Sequence, residues 1–347
     1  MFTVDKIPEK VSKAKIKEKT AKLSQLSIFK HSPFSSLDYL GGCTNHALLA
    51  HRKTEKPVVI RLPGSQSELI VDRKAEKYNS AIVASLGLCA HTLESYESGA
   101  LHGFKVEDFI NGQSLNVETF RKYTKPALAA LKKVHDCKQI FLTEYNLFER
   151  IILMCETLIA NGFNYLPYNR RRETVSLSAI IEHVKDLEET ATQLFPEVEK
   201  VPCHNDISPF NFIVVKNTTE SAEEIKILDW EYSGMNDRMI DLAYIASENG
   251  YVSRAEIEEF LQLYFESEVV KPEDVDKVLF YVPLIDLKVA VWSLLQVHMR
   301  NESKVIDSLK NITGTDRFHQ FKERIQSRDY LSVIEKSETA CHRMGNG

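Results

Sequence analysis

A histidine, two carboxylates and two amides lie close together in one part of this chain. The segment CHNDISPFNFIVV contains His204, Asn205, Asp206 and Asn211, and Asp229 follows in the segment ILDW. Carboxylate and amide oxygens suit Mg²⁺ in nucleotide sites, where phosphates and water complete the coordination shell. A further carboxylate can orient an acceptor hydroxyl and take its proton. These residue types therefore indicate metal-assisted phosphate transfer, with Asn211 and Asp229 as metal ligands and Asp206 as the base.

A hairpin is expected to position these residues. The stretch NFIVVKNTTESAEEIKILDW predicts two short strands joined by a polar loop. Pairing of the strands brings Asn211 and Asp229 together at the open end of the hairpin, with Asp206 just before it. Beyond Asn111-Gly112 the chain otherwise shows apolar residues at helical spacing. We therefore expect a helical region that this hairpin interrupts once, with Pro126 at a helix start or between two helices.

The N-terminal part has a different pattern. LDYLGGCTNHALLAH and KPVVIRLPG predict three strands, DRKAEKYNSAIVASLGL predicts a helix, and HTLESYES and HGFKVEDFI predict two more strands. This order indicates a small sheet with one helix. Residues 1 to about 30 are rich in lysine and predict one or two amphipathic helices. Interspersed acidic residues and a thin apolar face argue against a membrane-binding helix there.

The paired motifs HNDISPFN and ILDWEYSGMNDRMIDLA resemble the phosphotransferase family that includes the aminoglycoside phosphotransferases and the choline and ethanolamine kinases. The phrase DWEYSGMND followed by DLA is most similar to bacterial choline kinases, and the likeness covers about residues 35 to 300. It implies an α+β, two-lobed, protein-kinase-like fold. The expected parts are a basic helical extension (1–30), an ATP-covering lobe of antiparallel sheet plus helix (31–110), a larger helical lobe with the catalytic loop and acceptor site (111–338) and a frayed tail (339–347).

The resemblance implies ATP contacts in the N-terminal lobe. Glycines permit close approach of the backbone to phosphate oxygens, and LGGCTNHALL resembles the phosphate loop of the family. A kinase also needs a cation on the phosphates and a helix carboxylate to hold that cation, which Arg61 and Glu76 would supply. A solvated surface charge is the alternative for both. EDFING resembles the hinge that meets adenine. The implied ATP-binding residues are Gly42, Thr44, Asn45, Arg61, Glu76, Glu107 and Phe109.

The resemblance also implies an acceptor site for a small amino alcohol. A quaternary ammonium donates no N–H hydrogen bond and is held by aromatic faces with help from a carboxylate. Val289 stands where choline kinases often carry a second tryptophan, so we expect a thinner aromatic cage. For Trp292, packing in the hydrophobic core is the alternative to a role in the cage. The implied contacts are Tyr232, Glu248 and Trp292, with Tyr244, Tyr251 and Tyr281 as further candidates.

Two more residues have implied supporting roles. His204 precedes the base, and we expect it to pack and fix the shape of the loop. Asp241, in MIDLA, resembles the aspartate at a helix start that hydrogen-bonds the backbone of the catalytic loop. A carboxylate is also simply favourable at a helix start.

Composition limits the possible functions. The chain has 347 residues, of which 43 % are hydrophobic and 27 % charged, with a net charge of −5. These values are typical of a globular protein with room for two lobes and give no indication of nucleic-acid binding. We expect no membrane span and no secretory signal. The six cysteines form no C-x-x-C pair, so reduced thiols and a cytoplasmic location are expected.

The predicted function is therefore transfer of phosphate from ATP, with Mg²⁺, to a small amino alcohol, choline first. The alternatives are a kinase for ethanolamine, thiamine, an aminoglycoside or a sugar, and a nucleotide-binding pseudokinase that acts through protein contacts. Both a monomer and a homodimer remain open.

Overall fold

Strands dominate the beginning of the chain and helices dominate the rest. The computed structural model describes residues 4–5, 18–42, 45–64, 71–168, 173–216, 223–251, 253–300 and 315–344. The strands are β1 (Val4–Asp5), β2 (Phe34–Gly41), β3 (His46–Arg52), β4 (Val58–Leu62), β5 (Thr92–Ser95), β6 (Lys105–Asp108), β7 (Gln113–Ser114), β8 (Tyr165–Tyr168), β9 (Glu173–Ser176), β10 (Lys200–Cys203), β11 (Phe212–Lys216), β12 (Glu223–Ile227) and β13 (Gly234–Asp237). The helices are α1 (Ile28–His31), α2 (Arg73–Ser85), α3 (Val117–His135), α4 (Leu147–Ala160), α5 (Leu177–Leu194), α6 (Arg238–Asn249), α7 (Arg254–Phe265), α8 (Pro272–Arg300), α9 (Thr315–Arg324) and α10 (Arg328–Met344).

The first of two compact units comprises Met1–Leu115 and Asn211–Ser233. Its larger sheet has the strand order β1-β2-β3-β4-β6-β5, and all described pairs in it are antiparallel except β1 with β2. The strand β4 is rich in β-branched residues and nearly all buried, as a central strand requires. Asp72 caps the N-terminus of helix α2, because its carboxylate accepts hydrogen bonds from the N–H groups of Lys74 and Ala75. The predicted small sheet with one helix is confirmed.

The lysine-rich N-terminal segment contributes to the core of this unit. Leu23, Leu26 and Phe29 are buried in the same cluster as the sheet residues Leu37 and Ile60. The prediction of one or two helices is wrong at residues 4–5, which form a strand parallel to β2. For residues 1–3 and 6–17 it lies outside the described residues. Residues 4–5 form their backbone hydrogen bonds by pairing with β2. The lysine-rich sequence pattern gives no indication of this pairing.

The predicted hairpin is present. Strands β11 and β12 pair antiparallel from Phe212 opposite Ile227 to Lys216 opposite Glu223. The hairpin belongs to the first unit, whereas we had expected residues 111–338 to form one lobe. The reason is a third strand, because β7 pairs with β11 and places Ser114 opposite Ile213.

The second unit comprises Asn116–Phe210 and Gly234–Gly347. The expectation of a single hairpin in the helical region is wrong, because β8 pairs with β9 and β10 pairs with β13. The strands β10 and β13 have only four residues each and lie far apart in sequence, so no local pattern marks them. Helix α3 starts at a capping box formed by Asn116 and Thr119 and continues through Pro126, which is therefore neither a helix start nor a separator.

Helix α10 extends to Met344, where we had expected a frayed tail from residue 339. No glycine or proline interrupts that stretch before Gly345, so nothing in its sequence ends the helix earlier.

Helix α8 is the longest described helix, with 29 residues. Among the described residues, its segment Pro272–Gln296 alone has the length and mean hydropathy of a membrane span, although we had expected no such segment. The most apolar window of this segment is 89 % buried inside the protein. Burial of this extent is the property of a core helix, and it explains why the apolar pattern covers every side of the helix.

Candidate active site

Asp241 holds the backbone of the loop that carries Asp206. Its carboxylate accepts hydrogen bonds from the N–H groups of His204 and Asn205, both at 2.7 Å. Asp241 lies in the first turn of α6 and is fully buried. Asn205 adopts a left-handed backbone conformation with φ 63°, which the two hydrogen bonds and a further one from the Asn236 amide stabilise. The loop is thus fixed immediately before the predicted base.

A histidine that we had not predicted supports this carboxylate. His135, in the last turn of α3, lies with Nε2 3.1 Å from an Asp241 oxygen and with Nδ1 2.7 Å from the Tyr264 hydroxyl. An ionised carboxylate only accepts hydrogen bonds, so Nε2 donates to Asp241. Only its position at a helix end distinguished His135 in the sequence, so no pattern could have identified this contact.

Asp206 is partly exposed and lies beside a buried lysine. The exposed fraction of its side chain is 35 %, whereas that of Lys288 is 3 %, and the Lys288 ammonium donates to Asp206 Oδ1 at 2.6 Å. The buried ring of His204 accepts from the backbone N–H of Asp206 through Nδ1 at 3.3 Å. His204 therefore contributes to the shape of the loop by packing and by this hydrogen bond.

Asn211 and Asp229 lie at the same end of the hairpin in the first unit. The N–H of Leu228 donates to the carbonyl oxygen of Asn211 at 2.8 Å, which brings the two ends of the hairpin together. Asp229 has a left-handed backbone with φ 66° and a side chain that is 43 % exposed. The guanidinium of Arg61 lies 3.6 Å from its Oδ1. An amide oxygen and an accessible carboxylate at one hairpin end form a donor set of the type that Mg²⁺ accepts.

Glu76 holds three buried basic side chains in the first unit. It forms an ion pair with Arg61 on β4, while Arg73 Nη1 lies 2.9 Å from its Oε2 and Lys105 Nζ lies 3.5 Å from its Oε1. Burial alone would raise the pKa of Glu76, but Arg61 and the other two cations lower it to about 2. Burial alone would lower the pKa of Arg61, but Glu76, and after it Glu231 and Asp229, raise it, so the positive charge of Arg61 is permanent. Arg61 and Glu76 are therefore not the solvated surface charges that we had considered as the alternative.

Glu231 is a second buried carboxylate in this network, and we had not predicted a role for it. Its Oε2 accepts a hydrogen bond from the Asn45 amide at 2.8 Å and lies 3.3 Å from Arg73 Nη1. Burial and the nearby Asp229 carboxylate raise the pKa of Glu231. Its place two residues after Asp229 is the only sequence signal that could have indicated this contact.

Of the remaining predicted ATP-binding residues, Gly42, Glu107 and Phe109 lie on or directly next to strands of the sheet. Gly42 has φ 125°, and a Cβ there would lie 1.8 Å from the Asn45 carbonyl oxygen, so only glycine fits. Thr44 lies outside the described residues. Glu107 is in register with Val59 on one side and Thr92 on the other, and half-buried Phe109 follows directly after the end of β6.

The predicted acceptor residues lie in different surroundings. Tyr232, in the first unit, is buried in a short 3₁₀ turn. Trp292, in the second unit, is half-buried on α8 and is therefore not wholly a core residue. Tyr281 is buried against Phe195 and Phe280, which assigns it to the core.

Glu248 is paired with an arginine that we had not predicted. It forms an ion pair with Arg317 on α9, and Arg317 Nη1 donates to Asp286 Oδ1 at 2.8 Å. Arg324 lies 2.8 Å from the other oxygen of Asp286, which is fully buried. Asp286 and Lys288 are the two charged residues in the apolar stretch LIDLKVAV. Their position was the available sequence signal for the ion pairs of Asp286 with Arg317 and of Lys288 with Asp206.

Comparison with known proteins identifies relatives that share this arrangement of elements. The family described as choline/ethanolamine kinase matches residues 38–327. Protein LicA from Haemophilus influenzae is 24 % identical over 241 residues, which are 68 % of this chain and 64 % of LicA, so the match spans less than two thirds of that relative. A crystal structure of choline kinase LicA from Streptococcus pneumoniae has a TM-score of 0.66 at 26 % identity and covers 90 % of this chain and 98 % of its own. A structure of LicA in complex with AMP has a TM-score of 0.63 at 26 % identity and covers 95 % of this chain and all of its own.

Proposed function

The chain belongs to the choline/ethanolamine kinase family, and from this premise we propose that it transfers the γ-phosphate of ATP to the hydroxyl of choline. The observation that carries the proposal is the pair of hydrogen bonds that Asp241 accepts from the loop backbone. These bonds hold the loop, and with it the partly exposed carboxylate of Asp206, in a fixed place. The family match and the likeness to a choline kinase structure support the same activity.

In the proposed reaction Asp206 orients the acceptor hydroxyl and takes its proton. A bond then forms between the hydroxyl oxygen and the γ-phosphorus, while the bond between that phosphorus and the oxygen bridging to the β-phosphate breaks. The products are a phosphate ester and ADP. Such reactions depend mainly on positioning and on compensation of the phosphate charge, since the protein supplies little covalent chemistry.

Asn211 and Asp229 would hold Mg²⁺, and both offer oxygen atoms at one end of the hairpin. When bound, the metal neutralises phosphate charge and orients the phosphates. Arg61 would bind phosphate oxygens, and Glu76 would keep Arg61 in place. The loop with Gly42 and Asn45 would approach the phosphates closely, and the segment from Glu107 to Phe109 would meet adenine.

Choline is favoured over ethanolamine by the state of the acceptor-side carboxylates. A primary ammonium needs several hydrogen-bond acceptors, whereas a quaternary ammonium needs aromatic faces. In the second unit, Asp206 is paired with Lys288 and Glu248 with Arg317. Because both carboxylates already have a cationic partner, they offer fewer hydrogen-bond acceptors to a primary ammonium. The half-buried Trp292 offers an aromatic face. We therefore propose Trp292 as the main contact of the acceptor cation, with Glu248 and Tyr232 as secondary contacts.

We also propose that the protein works in the cytoplasm. Among the described cysteines Cys89, Cys137, Cys155 and Cys203 are free thiols. Reduced thiols fit a reducing compartment, which is also where ATP is available.

The experiment that tests the proposal measures ADP formation with Mg-ATP and each of choline, ethanolamine, thiamine, kanamycin and homoserine. Turnover of choline with the highest kcat/KM, lost in Asp206→Asn, is the expected result. Preference for ethanolamine would retain the chemistry and replace the acceptor. Binding of ATP without transfer to any of the five would contradict the proposal and favour a nucleotide-binding protein without kinase activity.

A further inference from the structure

A buried lysine lies beside the proposed base. Lys288 belongs to the central part of α8, between Leu287, which is fully buried, and half-buried Val289. Lysine is rarely buried to this extent unless its ammonium is paired, because removing an unpaired charge from water is costly. The partners of this ammonium therefore indicate why the chain places a charge on a core helix.

Two of the groups near the Lys288 ammonium are well defined among the described residues of the second unit. One is Oδ1 of Asp206 at 2.6 Å, and the other is the ring of Tyr244, whose centroid lies 4.9 Å from Nζ. Tyr244 is 2 % exposed, so the ring lies beneath the lysine and not on an open surface. Burial would lower the pKa of Lys288, but Asp206 and then Tyr145 raise it above the ordinary lysine value. The side chain thus remains an ammonium that donates to the carboxylate.

The hydrogen bond from Lys288 makes the two carboxylate oxygens of Asp206 different from one another. Oδ1 receives the short hydrogen bond from Lys288. In the proposed reaction the acceptor hydroxyl would use Oδ2, whose position follows from that of Oδ1. Because the long Lys288 side chain is almost fully buried in a close-packed core, its ammonium has little freedom to move. A carboxylate held by such a group loses less rotational freedom when the substrate binds.

Resting on the proposed function, we propose that Lys288 is a positioning residue for phosphate transfer, which fixes the Asp206 carboxylate through Oδ1 and keeps a permanent positive charge next to the base. The first effect favours transfer, because the hydroxyl proton passes to an oxygen whose position is already set. The second effect opposes binding of a cationic acceptor, because like charges repel at short range. Removal of Lys288 therefore lowers kcat and also lowers, or leaves unchanged, the KM for choline.

Lys277 provides a matched control on the same helix. It is also buried, its Nζ lies 3.4 Å from Asp237 Oδ2, and it lies over the ring of Phe195 at 5.8 Å from the centroid. Both lysines therefore have a carboxylate and an aromatic ring as neighbours. They differ in that neither carboxylate near Lys277, Asp237 or Glu273, is the proposed base.

The test compares Lys288→Met, Lys288→Arg and Lys277→Met in the full-length protein, with kcat and KM for choline and the melting temperature measured for each. We expect Lys288→Met to lower kcat by about tenfold or more, as misplacement of a reacting group does, without raising the KM for choline. Lys288→Arg should restore part of kcat, since a guanidinium also donates to a carboxylate. Lys277→Met should lower the melting temperature and leave kcat and KM within about twofold of the parent protein.

The outcomes separate this inference from the proposed function. If the parent protein transfers phosphate but Lys288→Met keeps its kcat, or if Lys277→Met loses as much kcat, the positioning role is wrong while the kinase activity stands. If the parent protein transfers no phosphate to any acceptor, the proposed function itself fails. If Lys288→Met does not fold, Lys288→Gln replaces it. The glutamine amide is uncharged and shorter than the lysine side chain, so we expect a kcat below that of the parent protein and a KM for choline that is lower or unchanged. An unchanged KM and an unchanged kcat in that variant overturn the inference.

Discussion

Glu76 in the first unit and Asp206 in the second are both carboxylates paired with basic side chains, yet their surroundings differ. Glu76 is 3 % exposed and is surrounded by Arg61, Arg73 and Lys105. The Asp206 side chain is 35 % exposed and pairs with Lys288. A carboxylate enclosed by three cations can serve as a fixed support, whereas a partly exposed one can still reach a substrate. We infer that the first contributes mainly to stability and the second mainly to activity.

The largest effect expected from this contrast is that of Asp206→Asn. A general base contributes about 10²- to 10⁴-fold to a rate, so kcat should fall by that factor. The amide oxygen can still accept from Lys288, so the melting temperature and ATP binding should change little. Activity assays, calorimetric titration with ATP and thermal unfolding would measure the three quantities. The exposed Asp186 on α5 is a suitable control, because Asp186→Asn should alter none of them.

We expect Glu76→Gln to lower the unfolding free energy strongly, in contrast to Asp206→Asn, whose main effect is on kcat. Removal of one partner from a buried ion pair typically costs about 3–5 kcal/mol of unfolding free energy. Three buried cations lose their shared carboxylate in this variant, and Arg61 loses its support, so the KM for ATP should also rise. Denaturant unfolding at pH 7 would measure the loss of stability.

The exposed pair of Lys77 and Glu97 in the same unit supplies the control for this variant. Glu97→Gln should change the unfolding free energy by less than about 1 kcal/mol, as exposed ion pairs do. A loss of similar size in the two variants would contradict the contrast between enclosed and exposed carboxylates.

The two buried carboxylates of the first unit should give opposite pH dependences. The pKa of Glu76 is lowered to about 2, so its ionised form adds stability above the ordinary pKa of 4.5, and this stability is lost as the pH falls toward 2. The pKa of Glu231 is raised to about 7, so the folded state binds more protons than the unfolded state between pH 4.5 and 7. Stability contributed by Glu231 therefore decreases as the pH rises through that window.

Glu231→Gln isolates this second effect. The variant should remove a decrease of up to about 3 kcal/mol between pH 4.5 and 7, because each pKa unit corresponds to about 1.4 kcal/mol. Unfolding free energies measured without nucleotide or metal at several pH values would detect the change in slope. An identical slope in the parent and the variant would show that Glu231 is not the titrating group.

The smallest expected effect concerns the acceptor side. Removal of a cation–π contact costs about 0.5–2 kcal/mol, so Trp292→Ala should raise the KM for choline by about tenfold. The KM for ethanolamine should rise less, since a primary ammonium depends more on hydrogen-bond acceptors. Trp292→Phe retains an aromatic face and serves as the control. An equal rise in KM for the two substrates would assign Trp292 to packing.

The hairpin and the sheet were predictable because their determinants are local. A continuous apolar run in β11 and alternating isoleucines in β12, on the two sides of a polar loop, specify the hairpin. These strands bring Asn211 and Asp229 to one end. The ATP-binding and acceptor roles depended on the family resemblance, which extends over most of the chain. Local patterns failed at β10 and β13, whose four-residue strands pair across more than thirty positions, from Lys200 to Asp237.

The sequence by itself determined the set of reactive groups and the local elements that carry them. Local elements are readable in this way because strand pairing in a hairpin and helix capping involve neighbours along the chain. Only the tertiary structure decided which charges lie beside those groups. Lys288 reaches Asp206 across 82 positions, Asn45 reaches Glu231 across 186, and Arg317 reaches Glu248 across 69. Contacts of this kind depend on the packing of whole helices and sheets, since the energy of a buried charge is set by the groups that surround it in space.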